Sequence, residues 1–117
     1  MITKFAFTIA ASSAALVVAC GSSVPPPNDE WAAAQADVGR AQAGGAPTVP
    51  DARLHLQLAV EDLQKSKALI GDDNRRALSL TEVARIEAQL ALSLAKQAEA
   101  DAQARQAQAE LAKASTH

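Results

Sequence analysis

Apolar residues recur every three or four positions from residue 52 onwards, which is the pattern of helices that bury one face. Within 50–70 these positions, spaced as in a coiled-coil seam, are Ala52, Leu56, Ala59, Leu63, Ser66 and Ile70. Thr48 and Asp51 have the spacing of a capping box, and Pro50 suits the first helical turn. We therefore expect a helix over about 50–70. Leu54, Leu58 and Leu69 fall on its far side, where we expect the first helix to cover them.

A second and much longer periodic stretch follows Gly71, which suits a helix end, and Asp73, which suits a helix cap. No Gly or Pro interrupts the chain after Asn74, so a helix over about 74–114 is predicted. The short connection makes this helix antiparallel to the preceding one. Its seam is mostly alanine, and the members that we consider candidates for contact with a partner are Ala84, Ala88, Ala91, Ala95, Ala98, Ala102 and Ala109.

The segment before these two helices predicts a shorter helix over about 28–43. Asn28 can cap it, and Gly44 and Gly45 stop it. Its apolar side is thin and consists of Trp31, Ala34, Val38 and Ala41. We expect Trp31 to dock this helix on its neighbours. An anchor at a membrane interface is the alternative role for this side chain.

Composition agrees with an all-α fold made of a short first helix and an antiparallel hairpin. Hydrophobic residues make up 49% of the chain but aromatic residues only 3%, because alanine, a strong helix former and a poor core filler, dominates. The net charge of −2 gives no basic patch for nucleic acid. One Cys and two His offer neither a disulfide nor a convincing metal site. No nucleophile-and-base motif or phosphate loop occurs, so neither an enzyme nor a cofactor is expected.

The first 19 residues have the pattern of a signal peptide. Lys4 supplies a positive start, and the apolar stretch that follows is about 14 residues long. This length fits a signal-peptide core and falls short of the roughly 20 residues that a spanning helix needs. We expect residues 1–19 to be removed. In the remaining chain we expect residues 28–117 to form the helical domain.

The residues at the expected cleavage site are Val17, Val18, Ala19 and Cys20, and they resemble the lipobox of bacterial lipoproteins. In that motif a branched apolar residue and a small residue precede the cysteine, whose thiol takes diacylglycerol. This resemblance implies cleavage before Cys20, lipidation of Cys20 and attachment to a membrane. The alternative is a secreted protein that is cut nearby and keeps a free thiol.

Residues 20–27 are expected to form a lipidated, proline-rich tether. Gly21, Ser22 and Ser23 favour flexibility, whereas Pro25 to Pro27 favour an extended chain. Residues 21–27 could lift the first helix roughly 20–25 Å from the lipid. Asp after the lipidated Cys tends to retain lipoproteins in the inner membrane. Gly21 stands there instead, which favours the periplasmic side of the outer membrane, with the inner membrane as the alternative.

Three further segments resemble a family of small bacterial lipoproteins that carry the domain of unknown function 4398. These segments are Thr48-Val49-Pro50, followed by Gly71-Asp72-Asp73-Asn74-Arg75-Arg76-Ala77, and Glu87-Ala88-Gln89-Leu90-Ala91. The resemblance covers roughly residues 28–110 and implies a helical envelope protein. The family has no assigned biochemical activity, so it implies no catalytic residues.

These observations predict a lipid-anchored envelope protein that acts as a structural or interaction module in the periplasm. Since the second helix is about half as long as the third, nothing in the chain can cover residues 97–117. This stretch is either a solvated helix or a surface for another copy or a periplasmic protein. Two alternatives are a spacer resembling the major outer-membrane lipoprotein, which attaches to the cell wall through a terminal Lys, and a small-ligand carrier.

Overall fold

Three α-helices make up the body of the protein in the computed structural model, which describes residues 23–117. They are α1 (Asn28–Ala43), α2 (Pro50–Leu69) and α3 (Asn74–Ser115), and a short 3-10 turn, Ala46–Thr48, joins α1 to α2. Residues 23–117 contain no strand. The predicted all-α class, with a short first helix and a helical hairpin, is therefore confirmed.

The turn between α2 and α3 is built from side-chain and backbone bonds that the sequence predicts. Gly71 has a φ of 98°, a left-handed conformation that residues with a Cβ rarely adopt. Its N–H donates to Oδ1 of Asn74 over 2.8 Å. Asp73 caps α3 by accepting the N–H of Arg76 over 3.0 Å. The turn thereby reverses the chain, and α3 runs antiparallel to α2.

The predicted seams face each other across this hairpin. The buried residues of α2 are Ala52, Leu56, Ala59, Leu63 and Ser66, and those of α3 are Ala77, Thr81, Ala84, Ala88, Ala91 and Ala95. Small residues allow two helix backbones to approach closely. The hydrophobic core is consequently a narrow strip, and Ile70 at its end is only half-buried.

Helix α1 packs along the hairpin on the side of Val60 and Leu63, parallel to α3. The indole N–H of Trp31 donates to the carbonyl of Leu63 over 3.1 Å. At the other end of α1, Gly44 lies so close to Leu92 that a Cβ would overlap its Cδ1. Trp31 therefore docks α1 as predicted.

The prediction that α1 covers Leu54 and Leu58 is wrong, because these side chains are 56% and 37% exposed. The 3.6-residue period offers apolar residues on both flanks of α2. The Trp31 hydrogen bond holds α1 on the flank of α2 that carries Val60, away from Leu54 and Leu58. Leu69, the third residue of that set, is half-buried.

Two predicted helix caps are also corrected. Asn28 is the first helical residue, and Pro27 precedes the helix and accepts the N–H of Trp31 over 3.0 Å. The capping box of Thr48 does not form, because the Thr48 hydroxyl donates to the carbonyl of Gly45 over 2.9 Å. Val49 precedes α2 instead, and Pro50 occupies the first turn as predicted.

The folded body begins before the predicted boundary at residue 28. The carbonyl of Val24 accepts a hydrogen bond from Nδ2 of Asn74 over 2.9 Å, and Pro27 is buried. The second half of the predicted tether therefore lies against the domain, which shortens the reach expected for residues 21–27.

Candidate interaction surface

The residues of the predicted anchor, Val17, Val18, Ala19 and Cys20, lie outside the described part of the chain. Within residues 23–117, no helix is long and apolar enough to span a membrane. These residues also contain no group of three or more His, Cys, Asp or Glu side chains that could hold a metal ion.

The candidate alanine seam of α3 divides into a covered part and an accessible part. Ala84, Ala88, Ala91 and Ala95 are buried against the other helices of the chain, so a partner cannot reach them. Ala98 is half-buried beside the connection between α1 and α2. From residue 99 onwards every side chain is exposed, including those of Ala102 and Ala109.

We call residues 99–115 the C-terminal arm. The arm comprises the last 17 residues of α3, which at about 1.5 Å each extend roughly 25 Å. Leu111, the only large apolar residue of the arm, is 72% exposed. An amphipathic helix normally gains its stability by burying an apolar face. The arm has no such contact with the rest of residues 23–117, so its seam is available to a partner.

A second accessible surface lies on the side of the hairpin that α1 leaves open. We call it the open face, and its residues, all 37% exposed or more, are Leu54, Leu58, Val83, Ile86 and Leu90. Ile86 lies at its edge, beside Arg85 and Gln89. Sequence reasoning assigned two residues of the open face to α1 and did not recognise the set as a surface. Helical spacing places Leu54 with Leu58 on α2, and Val83, Ile86 and Leu90 together on α3. Contiguous exposed apolar residues often mark an interaction site.

One polar contact joins the two helices beside the open face. His55 Nδ1 and Glu87 Oε2 are 2.5 Å apart, and both side chains are about one-quarter exposed. His55 is next in sequence to Leu54, and Glu87 is next to Ile86. The pair therefore fixes the register of α2 against α3 at the level of the exposed apolar residues.

A buried carboxylate that sequence reasoning missed lies between α1 and α3. Asp37 is 4% exposed and accepts hydrogen bonds from Nε2 of Gln89 over 3.2 Å and Nε of Arg85 over 3.4 Å. Arg40, one turn along α1, also contacts it. Buried charges need partners of this kind. The network holds α1 in register with α3. In the sequence, the only indication of this network was an acidic residue next to the apolar side of α1.

Trp31 borders an open groove, which bears on the small-ligand carrier. The groove has a volume of about 270 Å³, and its other lining residues are Gln35, Val38, Val60, Leu63, Gln64 and Lys67. The indole N–H already bonds to Leu63, and the Lys67 ammonium lies 5.1 Å from the ring centre. Ligand pockets usually bury most of the surface of their ligand, whereas this groove is open to solvent. The groove therefore provides no support for a ligand carrier.

Comparison with known proteins identifies no relative. No protein-family model matches the chain, and neither a curated protein nor a solved structure is significantly similar to it. The resemblance to the family with the domain of unknown function 4398 therefore stays a prediction.

Proposed function

We propose that this chain is a non-enzymatic, lipid-anchored protein of the bacterial cell envelope, and that it acts as an interaction module through its C-terminal arm. The observation that carries the proposal is the length of α3. Burial by α1 and α2 ends at Ala95, Ala98 is half-buried, and the helix continues to Ser115 with every further side chain exposed.

Support for the anchor comes from four features that occur together near the start of the sequence. They are a basic first segment, a short apolar core, the lipobox Val17-Val18-Ala19-Cys20 and a Gly/Ser/Pro segment after it. Acyl chains on Cys20 would hold the domain stably on a membrane, since two or more chains anchor far better than one. Gly21 favours the periplasmic side of the outer membrane over the inner membrane.

The alanine seam supplies the shape of the proposed contact. Alanine side chains at Ala102 and Ala109 would let a second helix approach the arm closely. Either another copy of this chain or a periplasmic protein with a helix of its own could provide that second helix. The resemblance to the small lipoproteins with the domain of unknown function 4398 fits the same role.

Photocrosslinking in intact cells tests this contact and has a matched control within the arm. A photoreactive amino acid replaces Ala102 or Ala109 in one set of variants, and Ala100 or Ala107 in the other. Two residues correspond to about 200° around a helix, so the second set faces the opposite way. We expect crosslinks from Ala102 and Ala109 only. Equal crosslinking from both sets, or none from either, would contradict the proposed contact.

A truncated chain that ends at Ala98 separates contact from folding. Every residue beyond Ala98 is exposed, so we expect the truncated domain to keep its helical signal per residue and its melting temperature. Loss of the folded domain on truncation would show that the arm serves the fold and would remove the argument for an interaction surface.

The length of α3 also favours one alternative, a spacer that extends towards the cell wall. Its 42 residues span about 63 Å at 1.5 Å per residue. The major outer-membrane lipoprotein, which this alternative resembles, attaches covalently to the wall through a Lys side chain. Detection of the chain covalently bound to purified peptidoglycan would favour the spacer over the interaction module.

A further inference from the structure

The start of the described chain and the hairpin turn meet at one end of the domain. The carbonyl of Val24 accepts a hydrogen bond from Asn74, the first residue of α3, over 2.9 Å. Pro27 is buried just before α1 begins. The main chain therefore enters the folded body beside the turn between α2 and α3.

Only a short stretch of chain separates this contact from the proposed anchor. Cys20 lies four residues before Val24, and four fully extended residues reach at most about 14 Å. We propose that the α2–α3 turn is the membrane-facing end of the domain and that the C-terminal arm points away from the lipid. This inference rests on the proposed lipid anchor at Cys20.

The direction of α3 determines how far the C-terminal arm lies from the lipid surface. The helix starts at this membrane-facing end and runs for 42 residues. At about 1.5 Å per residue, the arm occupies the stretch from roughly 37 to 63 Å along the helix axis. A partner of the arm in an upright domain would therefore meet it tens of ångströms from the lipid surface.

Charge opposes the alternative in which the domain lies flat on its open face. Helices that lie on a membrane carry Lys and Arg around their apolar side, which attract anionic lipids. Lys65 and Arg76 are the basic residues on this side. Acidic residues outnumber them, namely Glu61, Asp62, Glu82 and Glu87. These acids would be repelled by an anionic surface.

Charge does not hold the turn against the lipid either. Asp72 and Asp73 offset Arg75 and Arg76 at this end. The orientation depends instead on the short reach between Cys20 and Val24, so it should be insensitive to salt. One consequence concerns self-association, because two copies in one leaflet would stand the same way up and could pair their arms only in parallel.

Fluorescence quenching on vesicles tests the orientation with the full-length, lipidated protein. Asp72→Cys places a probe on the turn, and Gln108→Cys places one on the arm; both positions are exposed. Lipidation consumes the thiol of Cys20, which leaves the new thiol as the labelling site. The vesicles contain phosphatidylethanolamine, phosphatidylglycerol and a lipid with a quencher on its headgroup.

We expect the probe at residue 72 to lose most of its emission and the probe at residue 108 to keep it, at low and at high salt. Similar quenching of both probes would show a domain that lies flat, and stronger quenching at residue 108 would show the reverse orientation. Either result overturns the inference. Flotation with the vesicles is measured separately, and failure to float would overturn the anchor and the orientation together.

A longer tether provides the matched control. Twelve Gly and Ser residues inserted between Ser23 and Val24 add a flexible reach of roughly 20 Å. The insertion leaves the bond between Val24 and Asn74 available. We expect the protein to float as before but the difference in quenching between the two positions to shrink. An unchanged difference would show that something other than the short reach orients the domain.

Discussion

Ser66 of α2 and Thr81 of α3 face each other inside the alanine seam, with 2.7 Å between Oγ of Ser66 and Oγ1 of Thr81. Both side chains are fully buried. Each hydroxyl also lies within hydrogen-bond distance of the carbonyl of Ala77, at 2.8 Å from Ser66 and 2.9 Å from Thr81. The two hydroxyls and this carbonyl form a small polar network that joins α2 to the first turns of α3.

This network predicts that substitutions of its two hydroxyls are not additive. Ser66→Ala and Thr81→Val should each lower the free energy of unfolding by about 1 kcal/mol, since a buried hydrogen bond is lost. The double variant should cost less than the sum, because either single substitution already removes the hydrogen bond that the two hydroxyls share. Urea unfolding of residues 21–117 measures all three variants.

The exposed Ser79 supplies the control for this series. Ser79→Ala should change the free energy of unfolding by less than about 0.5 kcal/mol. If the two core substitutions were simply additive, Ser66 and Thr81 would contribute independently, and the network would not act as a unit.

The close approach of α2 and α3 predicts a strong effect of side-chain size at one position. Ala88 is fully buried in the seam, so Ala88→Leu should cost about 1–3 kcal/mol by forcing the helices apart. Ala104→Leu makes the same change on the exposed arm and should stay within about 0.5 kcal/mol. Thermal unfolding of both variants measures this difference in stability. Equal stabilities would mean that the seam is looser than the structure indicates.

Gly39 within α1 and Gly44 directly after it predict opposite effects of a substitution by alanine. Gly39 lies within α1, and a Cβ there meets nothing within 4 Å, so Gly39→Ala should stabilise the domain by about 0.5–1 kcal/mol. A Cβ at Gly44 would overlap the movable Cδ1 of Leu92 and would lie only 3.0 Å from the backbone carbonyl oxygen of Arg40. Gly44→Ala should therefore destabilise the domain by about 1 kcal/mol. The midpoints of denaturant unfolding show whether each substitution stabilises or destabilises the domain. A stabilising Gly44→Ala would contradict the close packing of α1 on α3.

The helices themselves could be predicted because their signals are local. Gly71 and Asp73 mark a turn through backbone conformation and capping, and the apolar period marks which side of each helix is buried. The seam positions of α2 and α3 were predicted on this basis, and the predicted seam of α2 included Ser66 although it is polar. The predicted second helix is about half as long as the predicted third helix. This difference in length alone indicated that the end of α3 is exposed.

The placement of α1 could not be predicted, because the helical period does not say which flank of α2 receives a third helix. Leu58 and Val60 lie on opposite flanks and are both apolar. The contact of Trp31 with the Leu63 carbonyl involves residues 32 positions apart, and no local pattern reports it. The same is true of Asp37, whose partners Arg85 and Gln89 come from α3.

The tether illustrates a different limit. Gly, Ser and Pro indicate an extended segment, but composition does not show where such a segment meets the folded body. The bond from Asn74 to Val24 joins residues 50 positions apart. This contact leads to the proposed orientation, since it leaves only the stretch from Cys20 to Val24 between the proposed lipid anchor and the domain.

The central claim of lipid anchoring is tested most directly by acyl labelling of Cys20→Ser in bacterial cells. The unaltered chain should incorporate labelled fatty acid and sediment with the membranes. Cys20→Ser should lose the label and lack the membrane association that the lipid provides. Ser22→Cys in the Cys20→Ser background should restore neither, because the lipobox fixes the position of the thiol. Labelling and membrane association that persist in Cys20→Ser would contradict the account.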